Sequence, residues 1–145
     1  MMKSQGEIEA AVCDGVSRFQ QEFVGRGPRD IRAHLLDNLL VVHLQGVLTP
    51  AERQLISPRL AADGNGHGHG NGDGLGHEGG NGRALLKQFR AHVVAAGRPR
   101  LEELVEAATG VKLVSVHHDI STVTGEEVLV FSLAASPACR PRRRA

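Results

Sequence analysis

The sequence predicts an α+β fold: a two-layer sandwich in which one four-stranded, mainly antiparallel sheet carries helices on one face. Three observations lead there. Arg29–Gln45 and Val111–Leu133 alternate apolar and polar residues with a period of two, the mark of half-buried strands. Ile8–Phe23 and Leu86–Ala108 repeat apolar residues at helical spacing. Glycine or proline stands at the joints, so residues 1–134 order themselves as helix, hairpin, short helix, long helix, hairpin in a single domain.

Ser4 and Glu7 have capping-box spacing, which starts the first helix; Ile8, Val12, Val16, Phe19 and Phe23 form its stripe, and Gly25 or Gly27 ends it near residue 24. Folding the next stretch about Asp37-Asn38 pairs Leu35 with Leu40, Ala33 with Val42 and Ile31 with Leu44 on one face. Thr49-Pro50-Ala51-Glu52 is a second capping box, opening a short helix that stops before Pro58. Residues 63–82, DGNGHGHGNGDGLGHEGGNG, are half glycine, and ordering them costs more entropy than burial returns, so a disordered Gly/His-rich insertion is expected. Leu86, Phe89 and Val93 resume a helical rhythm that passes Pro99 to Ala108; either one helix kinks at the proline or two abut, and a kinked helix is expected. The second hairpin, turning around Val123–Glu126, sets Ile120 opposite Leu129, His118 opposite Phe131 and Val116 opposite Leu133. Residues 135–145, a basic tail with Arg140, Arg142, Arg143 and Arg144, have neither period nor apolar content and are expected to be disordered.

Composition narrows the function classes. A net charge of +1 argues against a nucleic-acid coat, and four phenylalanines with no Trp or Tyr leave little for stacking bases, so nucleic acid is not an expected partner. Cys13 and Cys139 read as two unrelated thiols of a reducing compartment. No apolar run approaches the roughly 20 residues of a transmembrane segment, and the N-terminus lacks the apolar core of a secretory signal, so a cytoplasmic location is expected.

Several groups of residues carry possible chemistry. If both hairpins join one sheet, its second face gathers Arg32, His34, His43, His117 and Asp119 among Val41, Val128 and Val130. His117 and Asp119, two apart on one strand, are a plausible divalent-metal pair whose third ligand would have to be His34 or His43. The competing reading is an association surface with hydrogen-bonded histidines, since a valine-rich patch rimmed by polar groups suits a homodimer. His118, on the core face, reads as a satisfied buried histidine. Ser121, Thr122, Thr124, Gly125 and Glu126 form a hairpin contact candidate that could hold an anion with help from Arg26, Arg29 or Arg32; plain turn chemistry explains the same residues. His67, His69 and His77, with Asp73 and Glu78, could chelate Zn or Ni weakly, or be incidental to a solvated linker; no other cofactor is expected. No P-loop, nucleophile elbow or Cys-x-x-Cys is present, and no catalytic residues are assigned.

Four stretches resemble one bacterial family: Gly25-Arg26-Gly27-Pro28, DNLLVVHLQGVLTPAE (Asp37–Glu52), RPRLEELVEAATGVK (Arg98–Lys112) and HHDISTVTGEEVLVFSL (His117–Leu133). It is the former domain of unknown function now named for the Na+-translocating membrane potential protein MpsC. The resemblance covers nearly the whole chain except the 63–82 loop and the tail. It implies a link to a membrane system for inorganic-carbon uptake and generation of membrane potential, and the role expected here is a non-enzymatic accessory or regulatory protein of that transport system, peripheral to the inner face of the membrane. The alternative is a small metal-dependent or anion-binding enzyme using the His117/Asp119 face.

Overall fold

The computed structural model describes residues 2–57 and 78–140. Its elements are α1 (Gln5–Val24), β1 (Asp30–Leu36), β2 (Leu39–Gln45), α2 (Pro50–Ile56), α3 (Glu78–Ala96), α4 (Arg98–Thr109), β3 (Leu113–Ile120) and β4 (Glu127–Leu133). The fold is α+β, with one open antiparallel sheet in the order β1-β2-β4-β3. That order has a reason in side-chain chemistry. β2 and β4 carry apolar residues on both faces, whereas β1 and β3 place Arg32, His34, His117 and Asp119 outward, and charged, less sticky strands suit sheet edges.

Both ends of α1 are chemically specified. The Glu7 amide donates to Ser4 Oγ at 3.1 Å, the Ser4 amide donates to Glu7 Oε1 at 2.8 Å, and Gly25 closes the helix with φ 91°. α2 repeats the device with Thr49 and Glu52. Ile8, Val12, Val16 and Phe19 of α1, Leu86 and Val93 of α3 and Leu101 and Val105 of α4 form one core with Leu40, Val42, Leu44, Leu129 and Phe131 of the sheet. Phe23, at the end of the α1 stripe, is more exposed and stacks on Phe19 with ring centroids 4.5 Å apart.

β1 and β2 pair in the register that alternation predicts, Leu35 with Leu40 and Ala33 with Val42. The second hairpin does not. Ile120 pairs with Glu127, His118 with Leu129 and Val116 with Phe131, two residues away from the expected pairing. The connection is wider than a tight turn: the Ser121 amide donates to the Glu126 carbonyl at 2.8 Å, and the Gly125 amide donates back to the Ser121 carbonyl at 2.8 Å. A shift of two preserves which face each side chain takes, so Glu127 keeps its core-face parity and now stands opposite Ile120. A bulge between Leu113 and Ser115 absorbs the irregularity at the other end of β3.

Three further expectations are corrected. α3 begins at Glu78, so residues 78–82, expected to be part of the disordered insertion, are helical; the rest of that insertion lies outside the described residues. Glycine serves packing here, since a Cβ on Gly82 would fall 1.9 Å from the Leu55 carbonyl oxygen of α2. The long helix is two abutting helices joined at Gly97, with Leu101 N–H donating to the Gly97 carbonyl at 3.0 Å. Residues 135–140 are fastened rather than free: Pro137 is buried, Ser136 Oγ donates to the Asp37 carbonyl at 3.1 Å, and the Arg140 amide donates to the Lys3 carbonyl at 2.8 Å. Arg140 also pairs with Glu7 at 3.1 Å. Arg142, Arg143 and Arg144 lie outside the described residues.

Candidate functional site

The sheet's open face is a grid. Because the three registers are continuous, the outward residues fall into rows across β1, β2, β4 and β3: Leu36, Leu39, Ser132 and Ser115; His34, Val41, Val130 and His117; Arg32, His43, Val128 and Asp119. Apolar residues hold the middle and the cationic and acidic ones the two edges. Val41, Val128 and Val130 are only half-buried and Leu36 is 57% exposed, which is a costly way to end a sheet in water.

The grid also spaces the candidate metal ligands on this face. Neighbouring strands lie about 4.8 Å apart, so the backbone of His34 is roughly 14 Å from that of His117 and the backbone of His43 roughly 10 Å from that of Asp119. β4 lies between the strand that carries His43 and the strand that carries His117 and Asp119. Among the described residues no three His, Cys, Asp or Glu side chains are grouped to hold an ion. Instead Asp119 accepts from Lys87 Nζ at 2.7 Å, which holds its carboxyl below the usual aspartate value, and His117 lies 3.4 Å from Ser115 Oγ. His67, His69 and His77 lie outside the described residues.

The β3–β4 loop is built by its own side chains. Ser121 Oγ accepts from the amides of Val123 and Thr124, at 3.1 and 3.0 Å. Thr124 Oγ1 accepts from the Glu126 amide and donates to Glu126 Oε1, each at 3.2 Å. Gly125 takes φ 79° and is buried against Leu48. Thr122 is half-buried beside them. Glu126 Oε2 lies 2.8 Å from His43 Nε2, so the loop is pinned to the sheet's open face. The Ser121 and Thr124 hydroxyls and the amides of Val123, Thr124, Gly125 and Glu126 are thus engaged within the loop itself.

That His43 contact, with the Thr124 hydroxyl second, holds the Glu126 carboxyl below the usual glutamate value. A depressed folded value means that the stabilisation is complete above the unfolded value, about 4.3, and is lost as pH falls through the folded one. The urea midpoint of the native protein should accordingly exceed that of Glu126→Gln at neutral pH, with the gap closing as pH drops below about 4. A gap that stays constant down to about pH 3 would refute the assignment.

Behind the sheet lies a polar cluster that periodicity alone did not reveal. Arg90 of α3, fully buried, makes five contacts: Nε with Glu52 Oε2 at 2.7 Å, Nη2 with Glu52 Oε1 at 2.7 Å and with the Val47 carbonyl at 2.8 Å, and Nη1 with Gln20 Oε1 at 2.9 Å and Glu127 Oε1 at 3.2 Å. Gln20 Nε2 donates to the same Glu127 oxygen at 3.0 Å, while the other oxygen of Glu127 lies 2.6 Å from His118 Nε2. α1, α2, α3 and β4 thus meet at one guanidinium, and β3 joins them through His118 and Glu127. No buried side-chain nitrogen or oxygen among the described residues lacks a partner, so the cluster is closed and acts as a structural lock. Two signals were present in the sequence: Arg90 falls four residues after Leu86 and three before Val93, on the core stripe, and Glu127 has the core parity of Leu129, Phe131 and Leu133.

With this geometry established, comparison with known proteins decides the family. The profile of the "Na+-translocating membrane potential-generating system (MpsC)" family matches residues 4–62 and 77–135, passing over most of the glycine- and histidine-rich stretch. The chain belongs to the MpsC family. A relative, "Uncharacterized protein YbcI" of Bacillus subtilis (strain 168), is 29% identical over 133 residues, covering 92% of this chain and 90% of the relative. No solved structure matches the chain. As an MpsC family member it has no helix among its described residues long and apolar enough to cross a membrane.

Proposed function

We propose that this chain is a non-enzymatic accessory or regulatory protein of the membrane-potential-generating system for which its family is named. It works in the cytoplasm, beside the membrane transport complex, as a homodimer paired through the open face of the sheet. The valine-centred grid is the observation that carries the reading. A two-fold axis lying between two such faces and parallel to the strands sets β1 against the partner's β3 and β2 against the partner's β4. Val41 then meets the partner's Val130, and Arg32 meets the partner's Asp119. Apolar centres cover each other while opposite charges meet at the rims, and aligned sheets pack about 30° apart in this way.

Size-exclusion chromatography with light scattering should return twice the 15.5 kDa chain mass at micromolar concentration, and Val130→Asp should return the single mass. A wild-type monomer would remove the dimer. The accessory role is tested in the native host with a voltage-sensitive dye: deletion should lower the membrane potential, the wild-type gene should restore it, and Val130→Asp should not. An unchanged potential in the deletion strain would remove the role.

A further inference from the structure

At the end of the sheet where β2 leaves for α2 there is a cleft of about 530 Å³. Arg29, the β2–α2 connection, Arg53 and Ile56 of α2, and Val123–Glu126 of the β3–β4 loop line it. The volume is within the range of small-molecule sites. Its walls are fixed. The Arg29 amide donates to the Gln45 carbonyl at 2.9 Å, and Gly46, with φ 67°, lets Arg29 lie so close that a Cβ there would be 2.5 Å from Arg29 Cβ. The opposite wall is the self-bonded loop, seated on Leu48 through Gly125.

The charges of the cleft are unequal. Arg29 and Arg53 are exposed and, like Arg26 and Arg83, have no ion-pair partner among the described residues, whereas Arg18, Arg32, Arg90, Arg98, Arg100 and Arg140 do. Glu126, the one acid of the lining, is already held by His43 and Thr124. Two guanidiniums less one carboxylate leave a single positive charge. Leu48, 8% exposed, supplies apolar floor with Val47 buried beneath, Ile56 is half-buried, and Val123 stands 80% exposed at the lip. A guanidinium prefers a planar oxyanion it can grip with two donors, and apolar wall beside it prefers a hydrocarbon.

We propose that this cleft binds a small monocarboxylate with a short apolar chain, the carboxylate between Arg29 and Arg53 and the chain against Leu48, Ile56 and Val123. The net charge of the lining matches one negative charge and disfavours a dianion, whose second charge would face Glu126 uncompensated. The ligand would occupy a surface separate from the valine grid, so binding and pairing are distinguishable.

The test is titration of the full chain with hexanoate, hexanol and inorganic phosphate, followed by amide NMR shifts of Val123, Gly125 and Gly46. Saturable shifts are expected with hexanoate, with hexanol and phosphate each at least about tenfold weaker because each offers one half of the recognition. Arg53→Gln, on an exposed helical position, should fold as the native chain does and weaken hexanoate at least about tenfold; Arg53→Lys should recover part of that loss. Three outcomes would overturn the proposal: no saturable shift with hexanoate, equal affinity for hexanol, or equal affinity for phosphate. Undiminished hexanoate binding by Arg53→Gln would overturn it as well.

Discussion

Replacing Arg90 with methionine is expected to remove about 3–5 kcal/mol of folding stability, a large share of the roughly 5–15 kcal/mol a domain of this kind has. Methionine nearly fills the space, so the loss is not one of volume. It comes from leaving Glu52 and Glu127, both almost fully buried, without the cation that sits 2.7 and 3.2 Å from them, and from orphaning the Val47 carbonyl. Arg90→Lys should lose much of the same stability, because an ammonium cannot grip the two Glu52 oxygens as a fork while also reaching Gln20 and Glu127. Adding Glu127→Gln to Arg90→Met removes one stranded charge while keeping an acceptor for Gln20, and should recover part of the loss. Urea denaturation of the four proteins checks this series. A near-neutral Arg90→Met would mean that water or the histidine compensates the carboxylates.

The consequence reaches the surface. Glu127 is the first residue of β4 and pairs with Ile120, so the guanidinium fixes where the β3–β4 loop leaves the sheet. Glu52 has two duties: it completes the capping box of α2 through Thr49 and it grips Arg90, so α2 and its Arg53 are anchored to α3. Both walls of the proposed cleft therefore hang on one buried side chain.

Local chemistry was the most legible part of the sequence. α1, its capping box and its glycine stop, and the β1–β2 register were readable because each depends on residues within a few positions of one another. The β3–β4 register was misread because a six-residue loop closed by Ser121 side-chain bonds looks, in one dimension, like a tight Val123–Glu126 turn. Parity survived that error, so Arg32, His34, His43, His117 and Asp119 share one face as the alternation implied. What alternation could not provide was strand order, and order is what parts the histidines from His117 and Asp119. Phe89 and Arg90 show the complementary difficulty. Hydrophobicity put the phenylalanine inward, yet Phe89 is 44% exposed and Arg90 is buried, since partners 38 and 37 residues away, Glu52 and Glu127, outweigh the local preference.

Gly97→Ala is the second large effect, and two physical terms of opposite sign decide it. Gly97 sits at φ −92° and ψ 9°, a conformation open to any residue, and alanine favours a helical junction over glycine by up to about 1 kcal/mol. Against that, an alanine Cβ would lie 2.3 Å from Phe19 Cε1 and 2.6 Å from Cζ. The ring has little room to give way: Phe19 is 1% exposed and is stacked on Phe23. Overpacking of this kind costs about 1–3 kcal/mol, so the clash should win and the melting temperature should fall. Phe19→Leu, which removes the two atoms in conflict, should be less harmful in the Gly97→Ala background than in the native one, giving a coupling of roughly 0.5–3 kcal/mol in a double-mutant cycle. Strict additivity would show that α1 and the α3–α4 junction do not press on each other. The glycine would then serve helix connection alone, and the close seat of α1 against that junction would need another cause.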